Sequence, residues 1–231
     1  IVDGSDHAGL VSGNITVGNS SSPGAADSVV LQMGQFASPP ATNYLVGDYD
    51  NILNVATSSM TVYEDGLFNL NRGNNALINL TLQGGHVSGD LAAPSYSLLT
   101  LTGGVTTNAS SQTAIIDHGE LGLSNNAFAF TIADGAAAVD LRVDSLIHNG
   151  IGFTGSNATT ALAKTGTGTL VFTNANDYQG VTEIQQGILN IQNGSALGQT
   201  GPSIGSTDNG TVVSSGAQLQ LQGGITVGSE T

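Results

Sequence analysis

The sequence predicts an all-β fold: a right-handed parallel β-helix (β-solenoid) with about 20 residues per rung and glycine-rich corners. Apolar and polar residues alternate in short runs that end at glycines, which is the pattern of strands buried on one side. Such runs recur at intervals near 20 residues, as between Leu170 and Leu189, or along Leu80, Leu101 and Leu121. This recurrence favours stacked coils over a sandwich, so the 231 residues would make roughly ten or eleven rungs.

The predicted strands follow one another along the whole chain. The clearest period-2 segments are 28–33, 67–71, 78–82, 97–101, 120–123, 127–132, 140–143, 168–172, 181–184, 188–191 and 217–221. No segment shows the stripe of an amphipathic helix. Stretches 34–50 and 199–210 break the pattern with proline, glycine and serine, and we expect loop excursions there. Residues 1–231 are therefore predicted to form a single solenoid module.

Inward side chains of these strands should stack into apolar columns, because every second residue of a strand faces the same side. The residues that we expect in the stacked core are Leu170, Phe172, Ile184, Leu189, Ile191, Leu219 and Leu221.

Segment 161–198 contains the most specific motifs of the chain. It reads Lys-Thr-Gly-x-Gly-Thr-Leu from Lys164, Asn-x-Asn-x-Tyr-x-Gly from Asn174 and Gly-x-Leu-x-Ile from Gly187. These motifs resemble the autotransporter-associated β-strand repeat of large bacterial surface and secreted proteins, many of them giant and tandemly repeated. The resemblance implies a β-solenoid passenger and a location outside the cell, and it implies no chemistry.

Charge and composition exclude several classes of function. The formal net charge is −14, and only Arg72, Arg142 and Lys164 are basic. A chain without a basic stripe is a poor binder of nucleic acid or anionic lipid. No stretch approaches the roughly 18 apolar residues of a membrane span. The sequence has no cysteine, which excludes disulfides and thiolate metal sites. We expect an extracellular or bacterial cell-surface protein.

Polysaccharide-cleaving enzymes also use parallel β-helices, and their sites need clustered carboxylates or a base beside bound calcium. The groups that come nearest to this are the pairs Asp48/Asp50 and Glu64/Asp65 and the cluster Asp117, His118 and Glu120. Solvated turn residues are the simpler interpretation of all of them, and His7, His86 and His148 are isolated in the sequence. We expect no enzyme activity and no cofactor, with weak calcium binding at acidic loops as an alternative.

The leading functional prediction is a non-enzymatic rod that stacks end to end in a surface filament or forms the stalk of an adhesin. Asn14-Ile15-Thr16-Val17-Gly18 recurs near the other end as Gly224-Ile225-Thr226-Val227-Gly228, and the chain begins at Ile1 rather than Met. We therefore interpret the chain as one segment or subunit of a longer stack, with Ile15, Val17, Ile225 and Val227 at its interfaces. Its main partner would be itself, head to tail.

Two alternatives stay open. Tyr44 and Tyr49 in the first loop excursion could stack on sugar rings, which would make the chain a binding module for glycans or a host surface. A polysaccharide-active β-helix enzyme is the second alternative.

Overall fold

A computed structural model describes residues 13–33, 53, 57–71, 74–90, 97–123, 128–149, 160–199 and 210–228. Within these residues the chain forms strands and turns, and none of them lies in a helix that is long and apolar enough to cross a membrane. In chain order the strands are β1 (Asn14–Val17), β2 (Val29–Gln32), β3 (Ser59–Tyr63), β4 (Gly66–Asn69), β5 (Asn74–Gln83), β6 (His86–Ser88), β7 (Leu98–Thr107), β8 (Ala114–Ile116), β9 (Glu120–Leu123), β10 (Phe128–Ile132), β11 (Leu141–Val143), β12 (Leu146–Asn149), β13 (Thr160–Thr165), β14 (Thr169–Phe172), β15 (Val181–Ile184), β16 (Ile188–Ile191), β17 (Thr211–Val213) and β18 (Gln218–Leu221).

These strands form two parallel sheets that run the length of a coil. The large sheet has the order β1-β3-β5-β7-β10-β13-β15-β17, and the small sheet has the order β2-β4-β6-β8-β11-β14-β16-β18. Successive turns of the chain add one strand to each sheet, which is the architecture of a parallel β-solenoid. The predicted fold class is confirmed.

A short third side closes the coil between the two sheets. The pairing of the long strands β5 and β7 shifts register between Leu77 and Asn79, and their first halves pair with each other. The first half of β7 also pairs with β9, which pairs with β12. A turn therefore passes from the large sheet to the small sheet, then along this third side and back to the large sheet.

Two inward columns of stacked side chains make the core. The large-sheet column consists of Ile15, Met60, Leu80, Val105, Phe130, Lys164, Ile184 and Val213. The small-sheet column consists of Leu31, Phe68, Val87, Ile116, Val143, Phe172, Ile191 and Leu221. The six inner members of each column are almost fully buried.

The turns of this solenoid are not uniform in length. From residue 60 to residue 80 and from 164 to 184 a turn takes 20 residues, but from 184 to 213 it takes 29 and from 15 to 60 it takes 45. Each of the two sheets accordingly contains eight rungs among the described residues, fewer than the ten or eleven expected for all 231 residues. The extra residues fall between the described strands, whose pairing keeps its register across these long intervals.

The evenly spaced Leu80, Leu101 and Leu121 do not share one column, although each of the three is buried. Leu80 belongs to the large-sheet column, whereas Leu101 lies on the third side beside Leu77 and Leu123. Leu121 pairs instead with Leu99 and Ile147. Equal sequence spacing therefore does not by itself place residues in the same column.

Candidate functional site

Lys164 occupies an unusual position, because it is a buried cation inside the large-sheet column. Its neighbours in the column are Phe130 and Ile184. The side chain bends to the adjacent corner, where Nζ donates to the carbonyls of Thr165 at 3.0 Å, Gly166 at 2.7 Å and Gln186 at 3.0 Å. Burial lowers the pKa of Lys164 to about 8, against a weaker opposing influence of Asp140. The lysine of the motif thus holds the glycine turn closed.

The glycines of this corner are required by close backbone approach. Gly166 has φ of +72°, and a Cβ on it would lie 2.2 Å from the carbonyl oxygen of Ile132. Gly187, one turn further on, has φ of +66° and packs on the carbonyls of Gly166 and Gly168. A side chain at either position would both strain the backbone and separate the rungs.

The Asn-x-Asn-x-Tyr-x-Gly motif builds the third side of the same turn. Asn176 accepts a hydrogen bond from Ile147 N at 2.9 Å and donates to the Ala196 carbonyl at 2.7 Å. Its buried amide therefore links the rung below to the rung above, as a strand backbone would. Tyr178 is fully buried, and its hydroxyl lies 2.7 Å from Oγ1 of Thr182. Asn176 thus adds side-chain bridges to the main-chain bonds between rungs, such as that from Asn176 N to the Ser195 carbonyl at 2.9 Å, whereas the contact of Tyr178 with Thr182 lies within one turn.

The predicted cluster Asp117, His118 and Glu120 does not converge on one point. Asp117 bonds His86 at 2.9 Å, and Glu120 lies 3.5 Å from His148. His118 points into the protein, is fully buried, and has no hydrogen-bond partner at either ring nitrogen. Burial lowers its pKa to about 4. Within the described ranges, no three His, Asp or Glu side chains are placed to hold a metal ion.

Glu64 and Asp65, the second pair of acids singled out in the sequence, have separate hydrogen-bond partners. Glu64 accepts from the Ser110 hydroxyl at 2.6 Å. Asp65 accepts from the main-chain amides of Asn19 at 2.7 Å and Gly24 at 3.0 Å. The bond from Gly24, followed by that from Asn19, lowers the pKa of Asp65. Asp65 fastens the loop that follows β1 to the next rung.

His86 lies between two carboxylates on the outer face of the small sheet, so this histidine, isolated in the sequence, has acidic partners from distant parts of the chain. His86 Nδ1 lies 3.1 Å from Asp27 Oδ2, and Nε2 lies 2.9 Å from Asp117 Oδ1. Asp27 precedes β2, and Asp117 follows β8, so the three side chains span the rungs of β2, β4, β6 and β8. Hydrogen bonding to Asp117, and then to Asp27, raises the pKa of His86 above its usual value.

Sequence reasoning missed a column of threonines on the outer face of the large sheet. Six consecutive rungs align Thr16, Thr61, Thr81, Thr106, Thr131 and Thr165 in register. The hydroxyl of Thr165 donates to Thr131 Oγ1 at 3.0 Å. The signal in the sequence is a threonine directly after an inward residue, which is apolar for every member except Thr165, where it is Lys164; the spacing between the threonines varies with turn length.

The two ends of the solenoid expose apolar side chains. Five large hydrophobic residues among those that the structure describes are exposed, namely Val29, Val30, Val212, Val213 and Leu221, at 43, 51, 52, 44 and 54%. All five lie in β2, β17 or β18, which are the end strands of the two sheets. The apolar columns are therefore open at both ends of the described coil.

The burial of the predicted core residues decreases towards β18, the last strand of the small sheet. Leu170, Phe172, Ile184, Leu189 and Ile191 are fully buried. Leu219 stacks on Leu189 and is only partly buried, while Leu221 stacks on Ile191 and is more than half exposed. Leu221 was expected in the stacked core, but no described strand covers it.

The two copies of the Ile-Thr-Val-Gly motif do not occupy equivalent positions. Ile15 and Val17 lie in β1 of the large sheet and pair with Met60 and Val62. Ile225 and Val227 follow β18 of the small sheet, pack against the core and lie outside the strands. A four-residue match therefore does not fix the position within a coil, and the expectation that these four residues lie at an end-to-end interface stays a prediction.

Several predicted features lie outside the described residues. These are Tyr44 and Tyr49, the pair Asp48/Asp50, the whole 34–50 excursion, His7, and residues 200–209 of the second excursion.

Comparison with known proteins identifies the motif-bearing turn. Residues 162–191 match the family model of the passenger-associated-transport-repeat. The matched segment runs from β13 to β16 and contains Lys164, both glycine corners, Asn176 and Tyr178. The predicted resemblance to the autotransporter-associated repeat is confirmed over this segment, and a passenger repeat implies secretion to the cell surface or the extracellular space. No curated protein and no solved structure matches the chain.

Proposed function

We propose that this chain is a non-enzymatic structural segment of a bacterial surface protein, and that it serves as a β-solenoid rod in a filament or in the stalk of an adhesin. The observation that carries the proposal is the continuity of the two inward columns through eight rungs, despite turns of very different length. Such a coil keeps its axis while its corners vary, which suits a spacer. The passenger-type repeat supports a location outside the cell.

The acidic residues support a structural role over a catalytic one. Asp65 is engaged with main-chain amides, and Asp117 with His86. A general acid or base must instead be free to exchange a proton with substrate. Assays on neutral and acidic polysaccharides should show no turnover. Turnover that is abolished by Asp117→Asn would overturn the structural proposal in favour of the enzyme alternative.

Shape provides the direct test. Eight rungs spaced about 4.8 Å apart give a rod on the order of 34 Å long. Electron microscopy of the full chain should show such rods or their end-to-end assemblies, and circular dichroism should show β-structure. Compact particles with helical spectra would contradict the proposal. Binding to surface glycans that is lost in a Tyr44→Ala/Tyr49→Ala variant would favour the binding-module alternative.

A further inference from the structure

We infer that the outer face of the large sheet binds a neutral polysaccharide, whose chain lies along the solenoid axis over the threonine column and stacks one sugar ring on Tyr63. The inference goes beyond the proposed rod and does not depend on end-to-end assembly. It places the ligand on a described face of the coil, whereas the glycan alternative drawn from the sequence relied on Tyr44 and Tyr49.

The threonine column supplies a regular line of hydroxyl groups. Its exposed or partly exposed members are Thr16, Thr61, Thr81, Thr106, Thr131 and Thr165. Six rungs spaced about 4.8 Å apart extend this line over about 24 Å. A threonine hydroxyl offers one donor and two acceptor lone pairs, and its β-branched side chain has few rotamers. The hydroxyls are therefore held in place before a ligand arrives, which lowers the entropic cost of binding a chain that itself repeats hydroxyl groups.

The same face is uncharged over the described outward residues of β1, β3, β5, β7, β10 and β13, although the formal net charge of the chain is −14. Beside the threonines lies a column of small or amide side chains, namely Asn14, Ser59, Asn79, Gly104, Ala129 and Ala163. The uncharged run ends at β15, where Glu183 pairs with Ala163.

Charged side chains instead lie on the outer face of the small sheet, which carries His86, Asp117, Arg142 and Asp144. A ligand that covers charged groups must remove them from water at a cost, and the large-sheet face spares a neutral ligand that cost. The distribution of charge therefore favours an uncharged ligand on the large sheet.

Tyr63 provides an aromatic surface on this face. It ends β3, lies beside Gln83 of β5, and is partly exposed. On the side of β1 its neighbour is Gly18, where a Cβ would be 3.1 Å from that of Tyr63, so the rung of β1 places no side chain there. A tyrosine ring can stack on a sugar ring, and the amide of Gln83 can both donate to and accept from sugar hydroxyls. Tyr63 therefore favours a carbohydrate over other neutral ligands.

The experiment measures retardation of the full chain in native gels that contain xyloglucan, galactomannan or dextran, with polygalacturonate as the acidic control. At least one of the neutral polymers should slow the wild type. Thr106→Val/Thr131→Val removes two exposed hydroxyls and keeps the β-branched shape. It should weaken binding about tenfold, which is the factor that corresponds to the loss of two ordinary hydrogen bonds.

Two further variants locate the ligand. Tyr63→Ala should also weaken binding about tenfold, through loss of the stacked ring. Thr100→Val is the matched control, because Thr100 is a partly exposed threonine on the third side, and its binding should equal that of the wild type. Circular dichroism checks that each variant keeps its β-structure. If Tyr63→Ala unfolds, the threonine pair still decides the outcome.

Retardation by none of the neutral polymers would overturn the inference, and so would equal retardation by polygalacturonate. Binding that survives both face variants but is lost in Tyr44→Ala/Tyr49→Ala would overturn it in favour of the first loop excursion. Dimers that dissociate in Thr106→Val/Thr131→Val, without polysaccharide binding, would assign the face to a second copy of the chain. None of these results removes the rod, which is tested separately by its shape.

Discussion

Replacing Phe172 by alanine should destabilise the protein more than almost any other single substitution in the small-sheet column. Its ring is fully buried between Val143 and Ile191. It also meets the edge of Phe130, with ring centroids 5.7 Å apart and an interplanar angle of 71°. Truncating a buried phenylalanine costs about 3–5 kcal/mol, and loss of an aromatic pair contributes about 0.5–1.5 kcal/mol within that range. We expect a loss of about 4 kcal/mol for Phe172→Ala.

Leu221→Ala is the matched control, because Leu221 belongs to the same column but is 54% exposed. Its truncation should cost less than about 1 kcal/mol in the monomer. Both variants should be compared by urea unfolding at a concentration where the chain is monomeric, with circular dichroism and tyrosine fluorescence as independent probes. A loss below about 1 kcal/mol for Phe172→Ala, or equal losses for the two variants, would refute the column assignment.

Three further predictions concern buried and paired charges. Lys164→Met should lower the free energy of unfolding by about 2–4 kcal/mol, because three carbonyls lose their hydrogen-bond donor. Lys164→Arg should not restore full stability, because the corner is too confined for a guanidinium group. An unchanged free energy of unfolding for Lys164→Met would contradict the role of the lysine in holding the glycine turn. The pKa of His86 is raised in the folded protein, so the stabilisation that the protonated ring gives the fold is fully present below its unfolded pKa of about 6.5 and is lost as pH rises through the higher folded value. The free energy of unfolding of the wild type, relative to that of His86→Gln, should therefore fall between pH 5 and pH 9. A difference that does not change with pH would contradict this prediction. The pKa of buried His118 is lowered to about 4, so its effect on stability has the opposite pH dependence. The unfolded chain takes up a proton at this residue below about pH 6.5 while the folded protein does not, so the wild type should lose stability relative to His118→Phe as pH falls from about 6.5 towards 4. Parallel acid unfolding curves for the two proteins would contradict this.

The sequence was sufficient to predict the local strands and one complete turn, but not the alignment of the other turns. Leu170 and Leu189 pair as predicted, because the turn between them has no insertion. The threonine column was not predictable, since 45 residues separate Thr16 from Thr61 but only 20 separate Thr61 from Thr81. Register is fixed by backbone pairing across the sheet, and corner insertions change the spacing without changing that pairing.

The two copies of the Ile-Thr-Val-Gly motif could not be placed on the coil from the sequence for a related reason. A β-solenoid turn visits three sides, so two similar strand motifs can lie on different sides of the coil. The Ile-Thr-Val-Gly motif occurs once in β1 and once after β18, and its pattern of apolar residues is compatible with either position. Only the register of the intervening strands shows that Val213 and Leu221 end the columns that Ile15 and Leu31 begin.

Lys164 illustrates how such a coil can hold one register among many similar ones. Apolar columns tolerate a slip of two residues, since a slipped strand still points apolar side chains inward. The Lys164 ammonium adds a bond that depends on register, because Nζ donates to the Gln186 carbonyl of the neighbouring rung, while its other two acceptors, Thr165 and Gly166, belong to its own corner. A slip of β13 against β15 would remove the bond to Gln186, and a hydrogen bond from a charged donor contributes about 1.5–3 kcal/mol. The lysine of the matched repeat therefore favours one alignment of β13 with its neighbours, in a sheet whose apolar residues alone would permit others.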